Sequence, residues 1–207
     1  SEDLGGFYLD ILKDRLYTAT SGGVARRSAQ SALFHIAHSL VRLLSPILSF
    51  TAEEAWEHLT NKHRDSIFLH TWYKFPLQTD TKLIVQRWNR LRELRSEVQK
   101  RLEESRKQGV IGSSLSAVVE IHSNGDDFLL LHSLGDDLRL VFVASEVNLI
   151  QVQSTSERNI LVTPSKNPKC ERCWHYRKDV GYMEDYPTIC SRCVSNLFGP
   201  GEERKFA

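Results

Sequence analysis

Residues 25–44 read ARRSAQSALFHIAHSLVRLL, and this stretch sets the class of the fold. Leu33, Ile36, Leu40 and the Leu43–Leu44 pair recur at gaps of three and four, the pattern of one buried helical face. Ala25, Ala29, Ala32 and Ala37 favour the helix and allow close packing. Ser45-Pro46 ends or kinks it, because proline clashes with the turn behind it. Thr51 reads as an N-cap, with Glu54 completing a capping box. A short helix through Trp56 and Leu59 follows. Upstream, FYLDILKDRLY (7–17) places Phe7, Ile11, Leu12 and Leu16 on one face, and Ser-Gly-Gly at 21–23 separates the two helices.

A further long helix is expected from about Lys82 to Lys107, with an apolar line through Ile84, Trp88, Leu91, Leu94 or Arg95, Val98 and Leu102. Helices joined by short connectors form a bundle. In residues 60–80, Trp72, Tyr73, Phe75 and Pro76 are expected to fold the connection back onto that bundle, or to offer bases a stacking platform.

Beyond Gly109 and Gly112 the pattern changes. LSAVVEIH (115–122) reads as a strand from its Val and Ile content, and SNGDD (123–127) as a turn. FLLLH (128–132) fits a strand or a short helix. The run 134–153 holds at least one strand, although its DDLRLVF portion fits a helix end equally well. NILVT (159–163) is another strand. The expected class is mainly α: a helical bundle, then a small mixed α/β domain, then a cysteine knuckle. The expected boundaries are 1–108, 109–163 and 164–207. A domain as small as the middle one has a thin core and should lean on the long helix.

The 207 residues are 41% apolar and 26% charged, with a formal net charge of +1, a soluble globular profile. No apolar run approaches a membrane span. The start, SEDLGGFYLD, lacks an initiator Met, so the chain is expected to begin inside a larger protein.

The four cysteines carry the sharpest chemistry. Cys170, Cys173, Cys190 and Cys193 fall as two CxxC pairs separated by sixteen residues. That spacing suits a structural zinc site, because each pair aims two thiolates at one ion. Four thiolates leave no open position, so such a Zn2+ folds the segment and hydrolyses nothing. Disulfides or a redox pair are the alternatives, and nothing in the sequence points to an oxidising compartment.

Basic residues suggest a polyanion partner. Residues 82–107 hold nine Lys or Arg against four Glu, and Arg87, Arg90, Arg95, Arg101 and Arg106 are candidates for a phosphate face. Arg26, Arg27 and Arg42 add to it. A solvated amphipathic helix is the plainer alternative, and Glu93, Glu97, Glu103 and Glu104 interrupt the stripe. Around the cysteines, Arg172, Arg177, Lys178 and Arg192 offset the charge of a Zn(Cys)4 centre and could equally meet a polyanion. Trp174 could stack on a base or cover the knuckle's small core. His175 is expected to contact a partner or to support the ligands. His35, His38, His58, His63, His70, His122 and His132 read as packing or surface groups. The tail GPGEERKFA is expected to be loosely held, with Arg204 and Lys205 a weak basic element. No glycine-rich phosphate loop, HExxH or GxSxG occurs, so no catalytic residue is assigned.

Several of these stretches together resemble bacterial isoleucyl-tRNA synthetases. KCERCWHYRKDVG (169–181), ICSRCVSN (189–196) and GEERKFA (201–207) are similar to the C-terminal zinc module of that family. FYLDILKDRLY and ARRSAQSALFHIAHSLVRLLSPILSFTAEEAW (25–56) are similar to its anticodon-binding helical domain, and RLRELRSEVQKRLEESRKQGVIGSSLSAVV (90–119) to the junction that follows. The helical motifs are shared with valine and leucine enzymes, and the CxxCWHY module favours isoleucine.

The resemblance implies a cytoplasmic class I ligase. It joins isoleucine to its tRNA through an ATP-derived aminoacyl adenylate and edits valyl-tRNA. HIGH and KMSKS are absent here, so the chain is expected to be an inactive piece. It would keep one structural Zn2+ on Cys170, Cys173, Cys190 and Cys193 and the anticodon side of tRNA(Ile) as ligand. The rest of the same synthetase chain would be its other partner, monomeric at full length, and ATP would serve the missing catalytic domain. The alternative is a free-standing zinc module that binds nucleic acid or protein.

Overall fold

A computed structural model describes residues 2–61, 65–79, 81–153, 159–204 and 206; His63 and Lys205 lie outside them. The chain divides into two compact units, Arg27–Thr79 on the one hand and Ser1–Arg26 with Asp80–Ala207 on the other. No described helix is long and apolar enough to cross a membrane.

The smaller unit holds most of α2 (Val24–Leu44) and all of α3 (Ser49–Thr60). The α2 helix stops just before Ser45-Pro46, where the Ser45 hydroxyl donates to the Arg42 carbonyl at 2.9 Å. The α3 helix begins earlier than its capping signal. Leu48 occupies the N-cap, and Thr51 and Glu54 lie inside the helix. The Pro46 turn starts the winding early, and Ala52 N–H already donates to the Leu48 carbonyl at 2.8 Å.

The expected apolar face of α2 is covered only in part: Leu33 and Ile36 are half-buried, and Ala29 on the same side is buried. Leu40, Leu43 and Leu44 stay exposed within the described residues, whereas His38 is buried. At about 100° per residue the two sets lie on opposite sides of the helix. The aromatic partners decide the side: Trp56 meets the His38 ring edge-on at 5.3 Å, and Tyr73 stacks on it at 5.7 Å. Tyr73 alone among the connection's aromatics folds back, bonding His35 Nδ1 at 2.5 Å. Trp72, Phe75 and Pro76 stay exposed.

The larger unit opens with a π-helical segment, Glu2–Leu9, that runs into α1 (Asp10–Thr18). The long α4 (Thr81–Lys107) follows, then β1 (Ala117–Ser123), α5 (Gly125–His132), α6 (Leu138–Phe142), β2 (Glu146–Gln151), β3 (Asn159–Pro164) and α7 (Ser191–Phe198). The order in the sheet is β2-β1-β3. β1 pairs parallel with β2, from Val118–Glu146 to Ser123–Gln151, and antiparallel with β3. A parallel pair needs a crossover, which α5 and α6 supply. FLLLH and DDLRLVF are therefore helical, with 135–137 a single tight turn between them.

Ala117, Val119 and Ile121 face inward from β1 onto Leu91, Leu94, Val98 and Leu102 of α4 and onto Val141 and Phe142 of α6. Truncating so buried a side chain as Phe142 to Ala costs about 3–5 kcal/mol. Ile84, expected on the buried line, is exposed near the start of α4.

Candidate metal centre and nucleic-acid interface

The knuckle forms because two tight structures bring the cysteine pairs together. In the first, Cys170 N–H bonds the His175 carbonyl at 2.9 Å and Trp174 N–H bonds the Cys170 carbonyl at 2.9 Å. Trp174 turns the chain in the left-handed region at φ 64°, unusual for a bulky residue. In the second, Cys190 is the N-cap of α7 and Cys193 lies in its first turn. A helix N-terminus favours thiolates.

All four cysteines are buried, and their sulfurs lie within 4.8 Å of one another. Cys170 and Cys193 sulfurs are 3.8 Å apart, as are those of Cys173 and Cys190. A tetrahedron with Zn–S of about 2.3 Å has edges of about 3.8 Å. The residues therefore fit a zinc ion, and all four cysteines are free of disulfides. Cys190 N–H also donates to Cys170 Sγ at 3.3 Å, as a bound thiolate requires. Crowding couples the thiols. Hydrogen bonds from Cys190 and Cys193 hold Cys173 far below the ordinary thiol range, while Cys190 is pushed up to about 11 and Cys193 higher still by sharing with Cys173.

A buried ionic cluster ties the knuckle to α1. Arg192 grips Asp14 with two bonds of 2.7 and 2.9 Å. Arg204 also reaches Asp14, and it bonds Glu202 at 2.8 Å. Burial pushes the Asp14 carboxyl up, but the Arg192 bond and charge, backed by Arg204, override this and hold it well below the usual range. Glu202 is lowered too, burial again being overcome by the Arg204 bond and the Arg192 charge. Arg172 adds a bond to the Thr18 carbonyl at 2.8 Å.

The tail is consequently not loose. Asn196 Nδ2 donates to the Glu202 carboxylate and Glu202 N–H donates to Asn196 Oδ1, each at 2.9 Å. Phe206 N–H reaches Asp137 at 2.8 Å, and its ring packs on the core. The polar letters of this tail hide the fact that Glu202 and Arg204 are paired inside.

The predicted polyanion contacts separate by burial. Arg95 is buried, with Nε on the Val141 carbonyl at 2.8 Å and Nη2 on Asp10 at 2.6 Å. Arg192 is buried against Asp14. His175 is buried, with Nδ1 bonding the Cys173 carbonyl at 3.1 Å. Arg95 and Arg192 are engaged inside the fold, and His175 is held there through one ring nitrogen, its Nε2 having no hydrogen-bond partner among the described residues. Arg42 is also engaged: it bonds the His38 carbonyl at 2.7 Å and lies 4.5 Å over the Trp56 ring. Arg90 is held by Asp127 through two 2.7 Å bonds.

Arg27, Arg87, Arg101, Arg106, Trp174 and Lys178 remain exposed, and Arg177 half so. Arg101 and Arg106 make surface pairs with Glu104 and Glu103, which solvent screens and a phosphate can readily replace. Arg87 bonds Ser133 at 2.5 Å and lies 5.1 Å over Phe206.

Sequence reasoning missed a cavity of about 540 Å3 between α1 and the knuckle. Ile11, Tyr17, Leu140, Arg172, Trp174 and His175 are among its lining residues, and Lys169 lies 5.5 Å from the Trp174 ring. Only the Trp next to a ligand hinted at it. The arrangement offers aromatic faces, an apolar floor and cations at close range, the combination that takes unstacked bases.

Comparison with known proteins agrees with this chemistry. Residues 1–121 match the anticodon-binding domain of tRNA ligase, and residues 167–196 match the zinc finger found in FPG and IleRS. The isoleucine–tRNA ligase of Nitrosomonas europaea is 61% identical across all of this chain, which spans 22% of that relative. The isoleucine–tRNA ligases of Janthinobacterium sp. (strain Marseille) and Paraburkholderia phytofirmans are each 54% identical, again over the whole chain and 22% of the relative.

Proposed function

We propose that this chain recognises the anticodon side of a tRNA, on the premise that it belongs to the family of anticodon-binding domains of tRNA ligases. The observation that carries the proposal is the cysteine tetrahedron with Trp174 exposed beside it and Lys169 and Arg172 close by. The 22% span makes the whole-protein reaction part of the same proposal. In it, isoleucine and ATP give an aminoacyl adenylate elsewhere in a longer chain, the acyl group passes to tRNA(Ile), and valyl-tRNA is edited. The location is cytoplasmic and the full-length protein a monomer.

Within this chain, segments 1–108, 109–163 and 164–207 serve as anticodon-binding helices, junction and zinc module. Cys170, Cys173, Cys190 and Cys193 would hold one Zn2+, which supplies folding energy to the module. Arg27, Arg87, Arg101, Arg106, Arg177 and Lys178 contact phosphates, and Trp174 stacks on a base. Keeping a bulky residue at positive φ costs roughly 1–2 kcal/mol, which a binding role would justify.

Trp174→Ala tests the reading by anisotropy of labelled tRNA. Loss of one stacked base costs about 1–3 kcal/mol, roughly 5- to 150-fold in Kd. Wild-type affinity in that variant, with zinc content intact, overturns the stacking role.

A further inference from the structure

A second concavity lies away from Trp174. It encloses about 400 Å3 and is lined by α6 and its preceding turn, the start of β2, Asn167 and the segment Tyr176–Lys178. Three cations border it, Arg139, Arg177 and Lys178, against two carboxylates, Asp136 and Glu146. Arg139 is the unusual member. Its side chain is 5% exposed, yet its only acceptor among the described residues is Asp136, at 3.0 Å from Nε. Its Nη1 is buried with no hydrogen-bond partner. A buried guanidinium group lacking an acceptor is costly unless something completes it. Neither the zinc site nor the fold uses this charge.

We propose that this notch is an oxyanion site that takes a phosphate group, and that Asp136 acts as its internal placeholder. Asp136 is 75% exposed, so its bond to Arg139 is a weak surface contact that a dianion or phosphodiester can displace. The planar fork of Arg139 then pairs with two phosphate oxygens, and Lys178 and Arg177 close over the rim. Burial, then Arg192 and Arg177, lower the Arg139 pKa against the opposing pull of Asp136, and the two neighbouring cations favour an anion in the place of that carboxylate. Glu146 keeps its charge, since its partner is the neutral Asn148 amide at 3.2 Å, and three cations against this one carboxylate leave the notch positive once Asp136 is displaced. The phosphate comes from an RNA backbone or from free phosphate. The backbone source rests on the tRNA reading above, and the free source does not.

The test is a titration of this chain with inorganic phosphate at constant ionic strength, with chloride as control, following the arginine Nε–H signals by 15N-edited NMR. Saturable shifts at Arg139 and Arg177 are expected. Asp136→Asn removes the competing carboxylate and should tighten phosphate about three- to fivefold, while Arg177→Ala with Lys178→Ala should weaken it by a similar factor. Asp136 and Lys178 are exposed, whereas Arg177 pairs with Asp179 at 3.3 Å, so helical dichroism and metal content of the double variant are checked alongside. Shifts that match chloride, or an Asp136→Asn affinity equal to wild type, overturn the site.

A tRNA arm separates the sources. If the notch holds a backbone phosphate, Asp136→Asn tightens tRNA binding as it tightens inorganic phosphate. Unchanged tRNA affinity in that variant, with saturable phosphate binding, assigns the notch to free phosphate. Should the chain bind no tRNA at all, the anticodon reading fails and the phosphate titration still decides the notch.

Discussion

Replacing Asp14 by Asn removes one charge from the buried cluster that joins α1, α7 and the tail. Asp14 accepts bonds of 2.7 and 2.9 Å from Arg192 and a third from Arg204. Asn keeps one oxygen but turns an N–H2 toward guanidinium donors, so at least one charge-assisted bond is lost and one donor faces another. Such bonds contribute about 1.5–3 kcal/mol each, and stripping one partner from a buried ion pair costs about 3–5 kcal/mol. Glu202 remains as counter-charge to Arg192 and Arg204, which places the expectation at the lower end, about 3 kcal/mol. That is roughly a hundredfold in the unfolding constant. Urea unfolding followed by helical circular dichroism and by metal release to a chromogenic chelator measures it.

The acid limb gives an independent check. Asp14 and Glu202 both have depressed folded pKa values, so their contribution is complete above the unfolded carboxylate range near about 4 and is lost as pH falls toward the folded values. Asp14→Asn should therefore flatten the loss of stability below about pH 4. A destabilisation under about 1 kcal/mol, with an acid limb like wild type, refutes the clamp.

Cys190→Ser should lower zinc from about one ion per chain and loosen the tail, while far-ultraviolet dichroism of the helices persists; unchanged stoichiometry by atomic absorption contradicts the four-cysteine set. Gly201→Ala places a Cβ 2.6 Å from Thr20 Oγ1 at φ 87°, where only glycine sits easily, so a loss of about 1–3 kcal/mol in urea is expected. Combining it with Thr20→Ala should relieve the clash in part. Arg95→Met should act on stability, by about 1–3 kcal/mol, because it leaves the Val141 carbonyl without its donor, while Asp10 keeps Lys13 at 3.0 Å. Its tRNA affinity per folded molecule should stay as wild type, whereas Arg101→Ala should weaken binding and reduce the salt slope.

Local signals were legible where one segment decides its own structure. The CxxC spacing gave the tetrahedron because each pair closes within a few residues. Pro46 marked the end of α2, and the long helix needed only its own periodicity. What stayed hidden depends on distant partners. Arg95 counts as one more basic residue until Asp10, 85 positions upstream, folds against it. Arg192 and Arg204 look like surface cations until Asp14 meets them across 178 and 190 positions. Leu40, Leu43 and Leu44 of α2 predicted a covered face, but Trp56 and Tyr73 chose the histidine side. Thr51 offered a cap that the Pro46 turn pre-empted. DDLRLVF was ambiguous because five apolar-rich residues fit either period, and only the parallel β1–β2 pairing demands a helix there.

In the proposed function a cysteine-held metal shapes a surface for the anticodon side of tRNA(Ile). The most direct measurement is a binding titration of this chain with tRNA(Ile) and with a tRNA of mismatched anticodon, each with and without a zinc chelator. Tighter binding of tRNA(Ile), a steep salt dependence and loss of the preference when zinc is removed are the expected results. Equal affinity for both tRNAs, or a preference that survives chelation with the zinc demonstrably gone, contradicts the proposal.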